Sequence, residues 1–158
     1  MKKHLITLIL SAFFASSLVY AAEPVNTQTV LANGSQAAYT GPAEFFTGSV
    51  KVQPLFPVAQ ATNVSGAYVT FDAGARSAWH THPAGQTLVV TEGVGWTQVW
   101  GGEIKEVHVG DVIICPPGVK HWHGATPNST MTHLTVTGDL NGQNVHWLEK
   151  VSDEQYKK

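Results

Sequence analysis

The sequence predicts an all-β fold, an antiparallel sandwich or barrel, and three observations carry that prediction. Apolar and polar residues alternate over short stretches such as GAYVTFD (66–72) and MTHLTV (131–136), the period of a strand with one buried face. Glycines interrupt these stretches at close intervals, at Gly74, Gly93, Gly101, Gly102, Gly110 and Gly118, as turns between short strands require. Helical periodicity is almost absent.

Taken in order, the chain opens on a segment set apart from the fold. Lys2 and Lys3 give a basic start, Leu5 to Val19 an almost unbroken apolar run, and Val19, Tyr20 and Ala21 close it. Residues 1–21 therefore read as a secretory signal peptide cut after Ala21, too short for a comfortable membrane span. The expectation is an exported protein, periplasmic or secreted, with no membrane association after cleavage. Of 158 residues, 137 then remain, enough for one domain with its own core. The signal takes two lysines with it, leaving seven basic residues against eleven acidic ones, a net charge of -4. A mildly acidic chain of scattered signs speaks against nucleic acid as a partner.

Residues 22–40 are polar, with a turn signal at Asn33-Gly34, and read as a flexible N-terminal arm ahead of a domain over 41–158. Pro42 begins a short helical turn over Gly41 to Phe46, and Gly48 to Phe56 alternates imperfectly as a first strand, kept irregular by Pro54 and Pro57. Further strands follow over 66–72, 87–92 (ending at Gly93), 96–100 and 103–108, the last two joined by a Gly101-Gly102 hairpin. Asp111 to Cys115, 121–126, Thr130 to Thr137 and Val145 to Leu148 complete eight or nine strands, and a short charged helix is expected from Ser152 onward. Cys115 is the only cysteine, so no internal disulfide can form, and its place in VIIC predicts a buried, inert thiol.

The histidines carry the chemistry. His80 and His82 lie one residue apart and so share a strand face, as do His121 and His123. Taken alone, either pair fits ordinary surface or core imidazoles. Their surroundings say more. Gly74 is followed by five residues, His80, Thr81, His82, three residues, Gln86, six residues and Gly93. After sixteen intervening residues, 94–109, Gly110 is followed by five residues, Pro116, Pro117, Gly118, two residues and His121.

These two blocks resemble the paired sequence motifs of the cupin superfamily. Two positions depart from it: Gln86 stands where the family usually has Glu, and Ala125 where it has Asn. The resemblance implies a cupin jelly-roll barrel holding a divalent metal in its mouth through His80, His82, Gln86 and His121. Three neutral imidazoles and an amide oxygen leave such an ion its full charge, hence a stronger Lewis acid than with Glu. By ligand type the ion is manganese, iron, nickel or zinc. His123, two residues after His121, and His133, on the face of MTHLTV shared with Met131 and Thr135, should point into the same cavity, where a free imidazole can move protons. His108, among charged residues, should be solvated, and Trp79 and Trp122 should face away from the histidines.

More narrowly, GARSAWHTHPAGQTLVVTEGVGWTQ, PPGVKHWHGATP, MTHL and VSDEQY resemble single-domain bacterial cupins that include manganese-dependent hydroxynitrile lyases, and small cupins linked to carboxymuconolactone decarboxylase. This resemblance implies manganese, cleavage or formation of a cyanohydrin, proton handling by His123 and His133, and a homodimer or homotetramer acting on a small molecule. Two other classes stay open on the residues alone: a dioxygenase of an enolisable or aromatic substrate, and an exported, non-catalytic cupin binding metal or a small ligand.

Overall fold

The computed structural model describes residues 28–59 and 62–157; the expected signal peptide and the first part of the arm lie outside the described residues. Twelve strands run in chain order: β1 (Tyr39–Thr40), β2 (Phe46–Thr47), β3 (Val50–Phe56), β4 (Val64–Phe71), β5 (Arg76–Ser77), β6 (His80–Thr81), β7 (Gln86–Val99), β8 (Lys105–His108), β9 (Val112–Cys115), β10 (His121–Ala125), β11 (Met131–Gly138) and β12 (His146–Trp147). All-β is therefore the observed class, and every strand pairing is antiparallel.

One sheet path, β1-β3-β4-β11-β7-β10-β5-β2, carries the fold, with β8 and β9 attached to β7, β6 to β10, and β12 to β6. The long β7 serves both halves. Its first part, Gln86 to Glu92, lies between β11 and β9, and its second, Val94 to Val99, between β10 and β8. The change of partners falls at Gly93, which has φ +71° and whose missing Cβ would sit 1.9 Å from the Thr130 carbonyl oxygen. Only glycine fits there. Gly93 was expected to end a strand; it instead bends one continuous strand from one half of the barrel into the other.

Other expectations are corrected locally. The Gly101-Gly102 turn is part of a longer connection from Trp100 to Ile104, because the strand pairing closes only at Thr97 and Lys105. No helix exists among the described residues. The segment after Ser152 makes a single turn, with the Tyr156 amide donating to the Ser152 carbonyl (3.0 Å). Too few residues remain there to propagate a helix, and they are held by side chains instead. The buried Arg76 donates to the Val151 carbonyl (3.0 and 3.2 Å) and to Asp153 (2.6 Å), and lies 4.5 Å from the centre of the Tyr156 ring. The end of the arm is also anchored: β1 pairs with β3, and the Gln53 side chain donates to the Gln36 carbonyl (2.6 Å).

Two apolar clusters result. Val50, Val52, Val69, Phe71, Val90, Val107, Ala125 and Met131 fill the barrel interior. Trp79, Trp96, Trp122, Val151 and Tyr156 pack on the other side of the histidine-bearing strands, so Trp79 and Trp122 face away from the histidines as strand alternation requires. Cys115 is buried and free, and burial pushes its thiol up to about 11. His108 is exposed beside Glu106.

Candidate metal centre

His80 and His121 are opposite one another across the β6–β10 pairing. His82 follows β6 on the same face as His80, and the candidate ligand nitrogens of His80, His82 and His121 all lie within 4.8 Å of one another. Each ring is oriented through its other nitrogen. Nδ1 meets the Ala78 carbonyl in His80 (2.9 Å), the Asn144 carbonyl in His82 (2.5 Å) and the Val119 carbonyl in His121 (2.9 Å). A carbonyl can only accept, so Nδ1 must carry the proton and Nε2 is left as a bare lone pair. Backbone carbonyls in this outer position are what fix the tautomer of metal-ligating histidines.

Gln86, the first residue of β7, completes the set. Its Nε2 donates to Thr137 Oγ1 (3.1 Å), its cross-strand partner on β11. Its Oε1, like Nε2 of His82 and Nε2 of His121, is buried without a hydrogen-bond partner. Buried unpaired acceptors are costly, and several opening on one space form a donor set that fits a divalent cation. By chemistry the set is nitrogen and amide oxygen, compatible with manganese, iron, nickel or zinc.

The centre opens into a cavity of about 480 Å³ whose lining includes His80, His82, Gln86, His123, His133, Thr135 and Thr137. Its outer wall is aromatic. Phe45 stacks on Trp147 with centroids 4.8 Å apart, and Trp147 in turn lies 4.9 Å from the His80 ring. No charged side chain lines the cavity among the described residues.

His123 and His133 are drawn together deeper in the cavity, edge to face at 4.9 Å. Phe71 stands about equally close to both, at 5.9 and 5.8 Å. Neither ring makes a hydrogen bond of ordinary geometry: Nδ1 of His123 and both nitrogens of His133 are buried without such a partner, although the Leu134 backbone lies near enough to His133 to offset part of the effect of burial. Burial holds His133 down to about 4 and His121 to about 4, and holds His80 and His123 well below the ordinary imidazole value. His82 is lowered too, by burial, with its Asn144 and Gln86 contacts working the other way. All five are neutral at physiological pH, the form that binds metal and accepts protons.

Sequence reasoning missed several participants. Trp147 lines the cavity, as do Phe45 and Thr137. The carbonyls of Ala78, Val119 and Asn144 carry no residue signal at all. His146 is exposed on β12 and takes no part in the cavity.

Residues 67–137 match the family model described as a cupin domain. Over 125 residues the chain is 55% identical to an (R)-mandelonitrile lyase of Granulicella tundricola, covering 79% of this chain and 95% of that protein. This chain is a single-domain cupin. A solved structure, a cupin-like protein from Thermotoga maritima, superposes on this cupin with a TM-score of 0.71 at 36% identity, covering 82% of this chain and 95% of that one. An acireductone dioxygenase from a Picosynechococcus species is 29% identical over 82 residues, 49% of this chain and 47% of that protein. The first likeness spans both motif blocks and nearly the whole cupin domain; the last covers about half of each partner.

Proposed function

We propose that this cupin is a manganese-dependent lyase that cleaves or forms cyanohydrins. One observation carries the reading: a carbonyl-clamped donor set opens on an uncharged cavity lined by a separate histidine pair that no hydrogen bond of ordinary geometry clamps, in a chain more than half identical to a mandelonitrile lyase. His80, His82, Gln86 and His121 are the residues that would hold the ion. When bound, a divalent ion there supplies Lewis acidity toward a substrate hydroxyl oxygen.

The remaining work falls to the chain's own side chains. The Phe45–Trp147 wall orients an apolar or aryl substituent by stacking, and the lack of charge in the lining suits a neutral substrate. A bare nitrogen of His133 takes the hydroxyl proton. The O–H electron pair closes the carbonyl, and the carbon–carbon bond to the nitrile breaks with its electrons leaving on cyanide. The imidazolium so formed, in a site where burial disfavours charge, returns the proton to cyanide, releasing hydrogen cyanide and an aldehyde or ketone. His123, edge-on to His133, offers a second bare nitrogen for the same transfer.

Purified protein loaded with manganese should release cyanide from mandelonitrile above a metal-free control; equal rates would remove the lyase reading. The weaker likeness to an acireductone dioxygenase supports a second reading, oxygen insertion into an enolisable substrate. Oxygen uptake with diketones, without cyanide release from mandelonitrile, would favour it.

Two further readings belong with this one. Val99, Trp100, Val109, Val112 and Ile114 are exposed, the last two on β9, which among the described residues pairs with β7 alone. An apolar edge of this kind supports a homodimer or homotetramer, and Ile114→Lys should lower the mass measured by light scattering. Export rests on residues 1–21, and detection of the protein in a periplasmic fraction, shortened at its N-terminus, checks it.

A further inference from the structure

The interior face of β11 presents Met131, His133, Thr135 and Thr137 in alternation. Two of these are hydroxyls with one another for company: Thr135 Oγ1 and Thr137 Oγ1 lie 3.0 Å apart, both side chains buried. Thr137 also meets Gln86 Nε2 at 3.1 Å across the β7–β11 register. We propose that Thr137, backed by Thr135, is a positioning residue that decides which end of the Gln86 amide faces the histidines.

A primary amide presents a donor at one end and an acceptor at the other, with nearly the same shape. Turned one way, Gln86 offers Oε1 to a cation; turned the other, it offers an N–H dipole that repels one. A threonine hydroxyl has a single proton. If Thr137 gives that proton to Thr135, it can only accept from Gln86, and the acceptor is then the NH₂ group's partner. Oε1 is left facing the histidines, and it is buried there without a partner. The 3.0 Å contact allows either hydroxyl to donate; in the proposed chain Gln86 N–H donates to Thr137 and Thr137 O–H to Thr135. With Glu in place of Gln86, neither carboxylate oxygen would need such sorting, so the hydroxyl pair answers a need created by the amide.

This inference rests on the metal reading but not on the lyase reading, and its test uses binding and spectra. Wild type, Thr137→Val, Thr137→Ser and Thr135→Val are titrated with manganese, read by electron paramagnetic resonance of the free ion, and loaded with cobalt for its visible absorption. Thr137→Val should weaken manganese binding by about 10- to 100-fold, the usual cost of losing an outer partner, and change the cobalt spectrum. Thr137→Ser should match wild type. Thr135→Val should show a smaller loss in the same direction, because Thr137 is then free to donate. In a Gln86→Ala background, Thr137→Val should cost nothing further.

Unchanged affinity and spectrum in Thr137→Val would overturn the proposal, as would an equal loss in Thr137→Ser, which would assign the effect to the lost methyl group. Should Thr137→Val fail to fold, the Thr135→Val and Thr137→Ser pair decides by the same comparison. A wild type that binds neither ion would overturn the metal reading itself, and with it this inference.

Discussion

Five buried histidines gather at one centre, four of them lining its cavity, yet they form two sets built on opposite principles. In His80, His82 and His121 a backbone carbonyl holds Nδ1, so tautomer and ring rotation are settled before any ion arrives. In His123 and His133 no carbonyl is placed for a hydrogen bond of ordinary geometry, the Leu134 backbone acting only weakly on His133, and the rings are held by packing against Phe71 and each other. A clamped imidazole is a good ligand because its lone pair is aimed and its proton is elsewhere. An unclamped one is a good proton carrier because gaining or losing a proton breaks no hydrogen bond. The same side chain is thus suited to two different ends, according to what its second nitrogen touches.

The largest effect should come from deleting a clamped ring. His121→Ala should lower manganese affinity by more than about 100-fold, beyond the loss of an outer partner alone, and bring cyanide release down to the metal-free level; elemental analysis after desalting reads the first and a cyanide assay the second. His133→Gln should separate these quantities. Turnover should fall by about 10²- to 10⁴-fold, the usual contribution of a positioned acid–base group, while metal content stays at the wild-type value. If His133→Gln lost metal as His121→Ala does, the division into two sets would collapse.

Acid should act on both sets with one sign. Folding lowers these imidazole values, so below neutrality the unfolded chain binds more protons, and stability falls as pH drops. For His133 the loss runs from the ordinary value of 6.5 down to about 4. It amounts to about 3 kcal/mol for that group alone. Urea unfolding of the metal-free protein at pH 7 and at pH 4.5 measures it, and His133→Gln should flatten part of the slope. Bound manganese should oppose the loss, since the ion binds only the neutral rings of the folded state. A smaller effect is expected from Gln86→Glu, which should keep the metal and lower turnover by partly neutralising its charge; unchanged turnover would show that the amide ligand does not tune the reaction.

Much of this was legible beforehand. The longer strands, β3, β4 and β7 to β11, follow alternation and glycine spacing, whereas the two-residue β5 and β6 do not, and the two motif blocks place His80, His82, Gln86 and His121 by number. His123 and His133 were legible by parity alone, and both line the cavity. The errors are instructive. Gly93 looks like a strand end because glycine is a turn residue, but its role depends on the Thr130 carbonyl, a neighbour distant in sequence. The tail after Ser152 carries charges that suit a helix, yet Arg76, more than seventy residues away, holds it in a turn instead.

The sequence by itself determined the class of fold, the order of the strands and which side chains could serve as ligands, because alternation and side-chain chemistry are local properties. Only the tertiary structure decided which histidines are clamped, that Thr137 stands opposite Gln86, and that Phe45 and Trp147 wall the cavity. These depend on cross-strand register and on carbonyls that every residue possesses. Such groups leave no mark in a sequence until folding brings them within hydrogen-bond reach.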